Sequence, residues 1–201
     1  MSDQQAVSSA VETTDAVSRK RAPMIVLIVA IVVAGLFWML VGAPTGESDS
    51  ADTPLLGKPA PAIKTQTLDG APFDLGRRKG SWVFLNFVQS TCVECIQEQP
   101  ELVKFYAVQK KLGAAGAEFY SVIWNDPKPA IEEFFKKYGG SWPVLLDDDA
   151  TIGVAYAVAK VPETWLISPD GIVMNRIIGA TTADQLTATL IRAQQQVPAG
   201  Q

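Results

Sequence analysis

The sequence predicts one α/β domain with a mixed sheet, preceded by an apolar segment long enough to span a membrane. Three observations support this prediction. An uncharged apolar run lies near the N-terminus, strand-like and helix-like patterns alternate after it, and a turn signature near the C-terminus joins two strands. The order strand, helix, strand, helix, hairpin and helix is typical of an α/β domain.

The apolar run predicts a membrane anchor. Residues 22–46 carry no charge, and residues 24–41 are almost entirely Met, Ile, Val, Leu, Ala, Phe and Trp. As a helix, such a run spans about 30 Å at ~1.5 Å per residue. A cleaved signal peptide is the alternative, although its apolar core is typically about 7–15 residues long. We therefore expect residues 22–43 to form an uncleaved transmembrane helix.

The distribution of basic residues predicts the orientation of this helix. Residues 19–21 are all basic, and the next basic residue is Lys58. Because an excess of Lys and Arg stays on the cytoplasmic side, we expect a single-pass membrane protein with a cytoplasmic N-terminus. Residues 1–21 are then a disordered cytoplasmic tail, residues 44–54 a linker and residues 55–197 the extracytoplasmic domain.

Apolar patterning divides the domain into strands and helices. Short runs of β-forming residues between turn residues predict strands, and apolar residues at helical spacing predict helices. Thr181 or Thr182 is the expected N-cap of the last helix. The predicted elements are strands at 82–88 and 118–124, helices at 95–112, 129–138 and 182–195, and a hairpin of 164–167 with 172–178.

The composition excludes several classes of chemistry. The 201 residues include no histidine and two cysteines, so the chain cannot form a Ser-His-Asp or Cys-His nucleophile, an imidazole metal site or a Cys₄ zinc site. The net charge of −4 argues against nucleic acid as a partner. We therefore expect no metal and no cofactor other than a redox-active disulfide.

The two cysteines form the motif Cys92-Val93-Glu94-Cys95, where a predicted strand is followed by a helix. A sulfur at a helix N-terminus is stabilised as thiolate by the helix dipole and the free backbone N–H groups. Cys95, one turn further in, can resolve a mixed disulfide formed on Cys92. The alternatives are half of a metal site, for which no third ligand exists, and a structural disulfide, whose short loop would contribute little stability.

Three sequence motifs follow one another along the domain. They lie at residues 57–61 with 68–70, at residues 85–102 around the cysteines, and at residues 161–167 with 170–171. In this order they resemble the membrane-anchored thioredoxin-like proteins of the TlpA/ResA/CcmG (DsbE) type, and the resemblance covers about residues 55–195. It implies a thioredoxin-like fold: a mixed central sheet flanked by helices, with an N-terminal hairpin and an inserted strand–helix element at about residues 127–146.

The resemblance also implies how a substrate binds beside Cys92. It implies that the Val161-Pro162 peptide is cis and faces Cys92, which leaves the backbone of Val161 free to pair with an extended substrate chain. Thr91 stands where the family usually has Trp, so we expect an altered fit of the substrate. For Glu163, the choice lies between a contact with substrate and a solvated surface carboxylate.

Two acidic residues accompany the cysteines. Glu98 lies three residues after Cys95 on the same helix face and matches the family's active-site glutamate, which could take or hold the proton of Cys95. A solvated surface carboxylate is the alternative for Glu98. Glu94 places a negative charge between the cysteines, which raises a thiol pKa and disfavours the thiolate.

These features predict an extracytoplasmic thiol–disulfide oxidoreductase that acts on exported protein thiols or disulfides. Because strong oxidants stabilise the reduced thiolate, Glu94 favours a reductant, such as one that reduces apocytochrome c during cytochrome c maturation. Electrons would come from a separate membrane thiol carrier, since the predicted span contains no cysteine. The alternatives are an oxidant that forms disulfides in exported proteins and, less favoured, a metal-binding chaperone on a thioredoxin scaffold.

Overall fold

A computed structural model of the chain describes residues 22–41 and 52–197. These residues fall into two units, one within Met1–Glu47 and the other within Ser48–Gln201. The predicted cytoplasmic tail and residues 44–51 of the predicted linker lie outside the described residues.

The described part of the first unit is one helix, α1 (Ala22–Val41). It coincides with residues 22–41 of the predicted anchor, whose residues 42–43 lie outside the described residues. The side chains described along α1 are those of residues 24–35, all of them exposed. Among the described residues, no helix is long and apolar enough to cross a membrane.

The second unit is built on a five-stranded sheet with the strand order β5-β4-β3-β6-β7. Strands β3, β4 and β5 are parallel, whereas β6 pairs antiparallel with both β3 and β7, which confirms the predicted mixed sheet. The strands of this sheet are β3 (Val83–Val88), β4 (Glu118–Ile123), β5 (Val144–Leu145), β6 (Glu163–Ile167) and β7 (Val173–Ile178). The helices are α2 (Val93–Leu112), α3 (Lys128–Tyr138), α4 (Thr151–Ala155) and α5 (Ala183–Gln196).

A short N-terminal hairpin covers the β5 edge of this sheet. Its strands, β1 (Lys64–Gln66) and β2 (Pro72–Asp74), are antiparallel. The Leu146 N–H donates to the carbonyl of Gln66 at 2.9 Å, and the Leu68 N–H donates to that of Val144 at 2.7 Å. The hairpin thus satisfies backbone groups that a bare edge strand would expose. Both the hairpin and the inserted element, which comprises α3 and β5, lie where the resemblance implied them.

Local hydrogen bonds explain where the shorter helices begin. Thr182, one of the two residues predicted as the N-cap of the last helix, caps α5 and forms a capping box with Gln185. Helix α4 was not predicted. The Asp147 carboxylate stabilises its first turn by accepting the N–H groups of Ile152 and Gly153, each at 2.8 Å.

Apolar side chains pack on both faces of the sheet. Because successive residues of a strand point to opposite faces, Leu85 and Phe87 of β3 belong to one core cluster and Phe84 to another, which includes Leu102 and Leu186. All six residues of β3 are buried. Asn86 is therefore a polar side chain inside the core, on the same face of the sheet as Phe84.

Candidate active site

The two cysteines lie at the start of α2, and the first of them, Cys92, comes four residues after the end of the central strand β3. They form a disulfide, and the Cys95 N–H donates to the Cys92 sulfur at 3.1 Å, so that Cys92 is the N-cap of the helix. Thr91 is exposed, Cys92 is half-buried and Cys95 is fully buried. An incoming thiol or disulfide can therefore reach the first sulfur, while the second is shielded, as exchange requires.

The loop before β6 faces this disulfide. The Val161-Pro162 peptide is cis, as the resemblance implied. The Cys92 sulfur lies 3.6 Å from the carbonyl oxygen of Val161. The Pro162 carbonyl accepts a hydrogen bond from the Gly179 N–H at 2.9 Å, which ties the loop to the segment after β7. A backbone segment thus lies directly beside the reactive sulfur.

Glu98 is buried, so its alternative interpretation as a solvated surface carboxylate is wrong. One of its oxygens accepts from the Asn86 side-chain amide at 2.9 Å, and the other accepts from the Thr181 N–H at 3.0 Å. Burial raises the pKa of Glu98 to about 7, and the charge of Glu94 adds to this effect, while the two hydrogen bonds oppose it. A carboxyl group of this kind can gain or lose a proton near neutral pH.

Glu163 is also buried, so it is not a surface carboxylate either. It lies on the opposite face of the sheet from its neighbour Thr164, whose hydroxyl accepts from Asn86 at 3.1 Å. The Glu163 carboxylate pairs with the Arg176 guanidinium through two bonds of 2.9 and 3.0 Å. It also accepts from the indole N–H of Trp165 at 2.7 Å. The structure thus places Glu163 in a buried ion pair within the sheet, and a contact with substrate stays a prediction.

Three residues around Glu98 were not identified as site residues from the sequence: Asn86 and Thr181 donate to its carboxylate, and Thr164 accepts from the Asn86 amide. Asn86, Thr164 and Thr181 belong to three separate segments, and their contacts depend on the tertiary fold. For Asn86 a signal was present, because it is the polar residue within an otherwise apolar strand pattern. Within the described parts of the chain, no group of three or more Cys, Asp or Glu side chains could hold a metal ion.

An exchangeable disulfide at the first turn of a helix, on a mixed sheet of this topology, defines a thioredoxin-like thiol–disulfide oxidoreductase. The sequence profile of the AhpC/TSA family matches residues 56–176. Thiol-disulfide oxidoreductase ResA of Bacillus subtilis (strain 168) is 34% identical over 130 residues, which are 65% of this chain and 71% of that protein. The chain therefore belongs to the AhpC/TSA family of thioredoxin-like proteins and, within it, to the TlpA/ResA/CcmG group.

Further relatives and solved structures agree with this assignment. ResA of Geobacillus kaustophilus is 31% identical over 131 residues, which cover 65% of this chain and 74% of that one. A thioredoxin-family thiol:disulfide interchange protein from Chlorobium tepidum superimposes with a TM-score of 0.60 at 25% identity, over 71% of this chain and 99% of that one. A secreted Mycobacterium tuberculosis disulfide oxidoreductase homologous to E. coli DsbE superimposes with a TM-score of 0.57 at 26% identity, over 65% of this chain and 95% of that one.

Proposed function

We propose that this protein is a membrane-anchored extracytoplasmic reductant of protein disulfides, with the cysteines of apocytochrome c as its substrate class. The observation that carries the proposal is the asymmetry of the cysteine pair. Cys92 is accessible at the helix N-terminus, while Cys95 is buried one turn further in, on the helix that carries Glu98. This asymmetry gives the two sulfurs separate roles, attack and resolution.

The reaction begins with the reduced pair. The Cys92 thiolate attacks one sulfur of a substrate disulfide, so that the substrate S–S bond breaks, a mixed disulfide forms and the other substrate sulfur leaves as a thiolate that takes up a proton. The Glu98 carboxylate then accepts the Cys95 proton, and the Cys95 thiolate attacks the Cys92 sulfur. The Cys92–Cys95 bond forms, and the substrate leaves with two thiols and two electrons. A membrane thiol carrier then reduces the pair again.

The loop around Val161 supplies the binding site for the substrate chain in this proposal. Its backbone lies beside the Cys92 sulfur, where an extended peptide can pair with it by strand addition. Thr91 and Val93 are exposed on either side of Cys92, so both side chains can contact such a peptide. The site thus recognises backbone and a disulfide rather than one particular side chain.

The charge of Glu94 supports the reducing direction. Glu94 is exposed in the first turn of α2, between the two cysteines. A negative charge at this position disfavours the thiolate and therefore destabilises the reduced form relative to that of a strong oxidant. The opposite direction, disulfide formation in exported proteins, is the second outcome of the test below.

The reduction potential of the Cys92–Cys95 pair tests the direction. Equilibration with glutathione or dithiothreitol buffers is expected to give a value closer to that of thioredoxin, about −270 mV, than to that of DsbA, about −120 mV. Glu94→Gln should raise the potential because it removes charge beside the thiolate, and Glu132→Gln, an exposed residue of α3, should leave it unchanged. A wild-type value near −120 mV would identify the protein as an oxidant.

The membrane anchor is the second part of the proposal. It is supported by the uncharged apolar run and by the basic residues at 19–21. In cells, the full chain should stay with membranes after alkaline carbonate extraction, and protease added to spheroplasts should digest the domain. Deletion of residues 22–43 should release it. If carbonate released the intact chain from the membranes, or if the domain were protected from external protease, the proposed topology would be contradicted.

A further inference from the structure

A chain of buried hydrogen bonds connects Trp142 with the Glu98 carboxylate. The Trp142 indole N–H donates to the Ser121 hydroxyl at 2.8 Å, and that hydroxyl lies 3.5 Å from the side-chain oxygen of Asn86. The Asn86 amide nitrogen donates to Glu98 at 2.9 Å and to the Thr164 hydroxyl at 3.1 Å. All five side chains are buried. The hydrogen-bond chain therefore crosses the core from the inserted element, which contains Trp142, to the active site.

The chemistry of the groups sets the direction of this chain. An indole N–H can only donate, so the Ser121 oxygen must accept from Trp142. The single hydroxyl proton of Ser121 then points to Asn86 and is donated to its side-chain oxygen. With that oxygen engaged, the amide NH₂ of Asn86 faces Glu98. Donors therefore point towards Glu98 at every step, which stabilises the charged carboxylate.

We propose that Trp142 is a positioning residue for Glu98. Its indole N–H fixes the orientation of the Asn86 amide through Ser121 and thereby keeps a hydrogen-bond donor directed at the Glu98 carboxylate. The consequence for disulfide exchange rests on the proposed role of Glu98, whereas the hydrogen-bond chain does not. The inserted element thus contributes to the active site although it carries none of the reacting atoms.

The environment of Trp142 allows a conservative test. Its ring packs edge-on against Phe119 at 5.0 Å and Tyr106 at 5.4 Å between centroids. Because these contacts are apolar and aromatic, Trp142→Phe retains much of the packing while it removes the N–H. Ser121→Ala removes one oxygen atom and so interrupts the hydrogen-bond chain at its next member after Trp142.

The groups facing Glu98 from other elements are uncharged. They are Asn86 of β3, and Thr181 before α5, while Thr164 of β6 shares the Asn86 amide. On α2 itself, the titratable residues within one turn of Glu98 are Glu94, Cys95 and Glu101, and Glu101 accepts the Ala183 N–H and pairs with Lys104. Both variants leave these groups in place, so a changed titration of Glu98 reports on the hydrogen-bond chain.

Without the indole N–H, the Asn86 amide can flip, so that its oxygen faces Glu98 and its nitrogen donates to Ser121. A carbonyl oxygen facing Glu98 is compatible with the protonated acid and repels the carboxylate. The pKa of Glu98 should then rise, by about one unit for the loss of one hydrogen bond to a charged group. Ser121→Ala should shift it in the same direction, because the Asn86 oxygen loses its donor.

Infrared difference spectroscopy of the full chain against pH measures this titration through the protonated carboxyl band. Glu98→Gln identifies the band, and Trp82→Phe is the matched control, since Trp82 packs at the edge of the same core cluster. An upward shift in Trp142→Phe and Ser121→Ala, but not in Trp82→Phe, supports the proposal. An unshifted band in both variants overturns it, and if Trp142→Phe does not fold, Ser121→Ala alone decides.

The pH profile of disulfide exchange is a separate readout. A shifted infrared band with an unshifted pH profile would count against the proposed role of Glu98.

Discussion

Replacement of Cys95 by serine is expected to turn the protein into a covalent trap for its substrates. The Cys92 thiolate can still attack a substrate disulfide, but no second thiol is available to resolve the mixed disulfide. Because Cys95 is fully buried and Cys92 is accessible, substrates should be attached to Cys92. Non-reducing gels of cells expressing Cys95→Ser, followed by mass spectrometry of the adducts, should identify those substrates.

Two control variants make this experiment decisive. Cys92→Ser should have no exchange activity and should accumulate no adducts, since the buried sulfur of Cys95 cannot reach a protein substrate. The double variant Cys92→Ser/Cys95→Ser has no cysteine, so it measures the background of adducts that do not depend on either sulfur. Accumulation of adducts on Cys92→Ser instead of Cys95→Ser would reverse the assigned roles. If neither variant accumulated adducts above the double variant, the exchange mechanism would be wrong.

Arg176→Ala is expected to destabilise the domain more than any substitution of an exposed ion pair. The Glu163 and Arg176 side chains are 1% and 12% exposed, so removal of the guanidinium leaves a buried carboxylate without its counter-ion. Loss of one partner of a buried pair typically costs about 3–5 kcal/mol. The guanidinium also stacks 5.1 Å from the Trp165 ring, a contact that would be lost as well. The midpoint of urea unfolding measures the effect.

Two comparisons separate the ion pair from other causes of destabilisation. Lys128→Ala removes the partner of Glu132 in an exposed pair on α3, and it should leave the midpoint nearly unchanged. The double variant Glu163→Gln/Arg176→Met removes both charges and should recover much of the stability lost in Arg176→Ala. Equal midpoints for Arg176→Ala and Lys128→Ala would show that the pair does not stabilise the sheet.

Most elements of the domain could be predicted because their apolar patterns are long and regular. The predicted strands at 82–88 and 118–124 agree with β3 and β4 to within one residue at each end. Strand β5 and helix α4 have two and five residues, too few to show a period. Their positions depend instead on the neighbouring strand β4 and on the Asp147 carboxylate, which the local pattern does not reveal.

The site was predicted where its residues are adjacent in sequence and missed where they are brought together by the fold. The cysteine pair and its place at a helix N-terminus follow from one continuous segment, in which the motif at residues 92–95 lies between a strand pattern and a helix pattern. Glu98, by contrast, is held by Asn86 and by Thr181, which are separated from it by 12 and 83 residues. Whether it was a surface or a buried carboxylate could not be decided without those contacts. The same is true of Glu163, whose partner Arg176 lies on the neighbouring strand of the hairpin.

The inserted element also limits how far the domain can be reduced in size. Strand β5 is where the N-terminal hairpin joins the sheet, and the Gly139 carbonyl accepts from the buried Gln99 amide of α2 at 2.6 Å. A shortened protein without residues 127–146 would leave that amide and the hairpin without their partners. The insertion is therefore not a detachable module, and protein engineering towards a minimal redox domain would have to replace these contacts first.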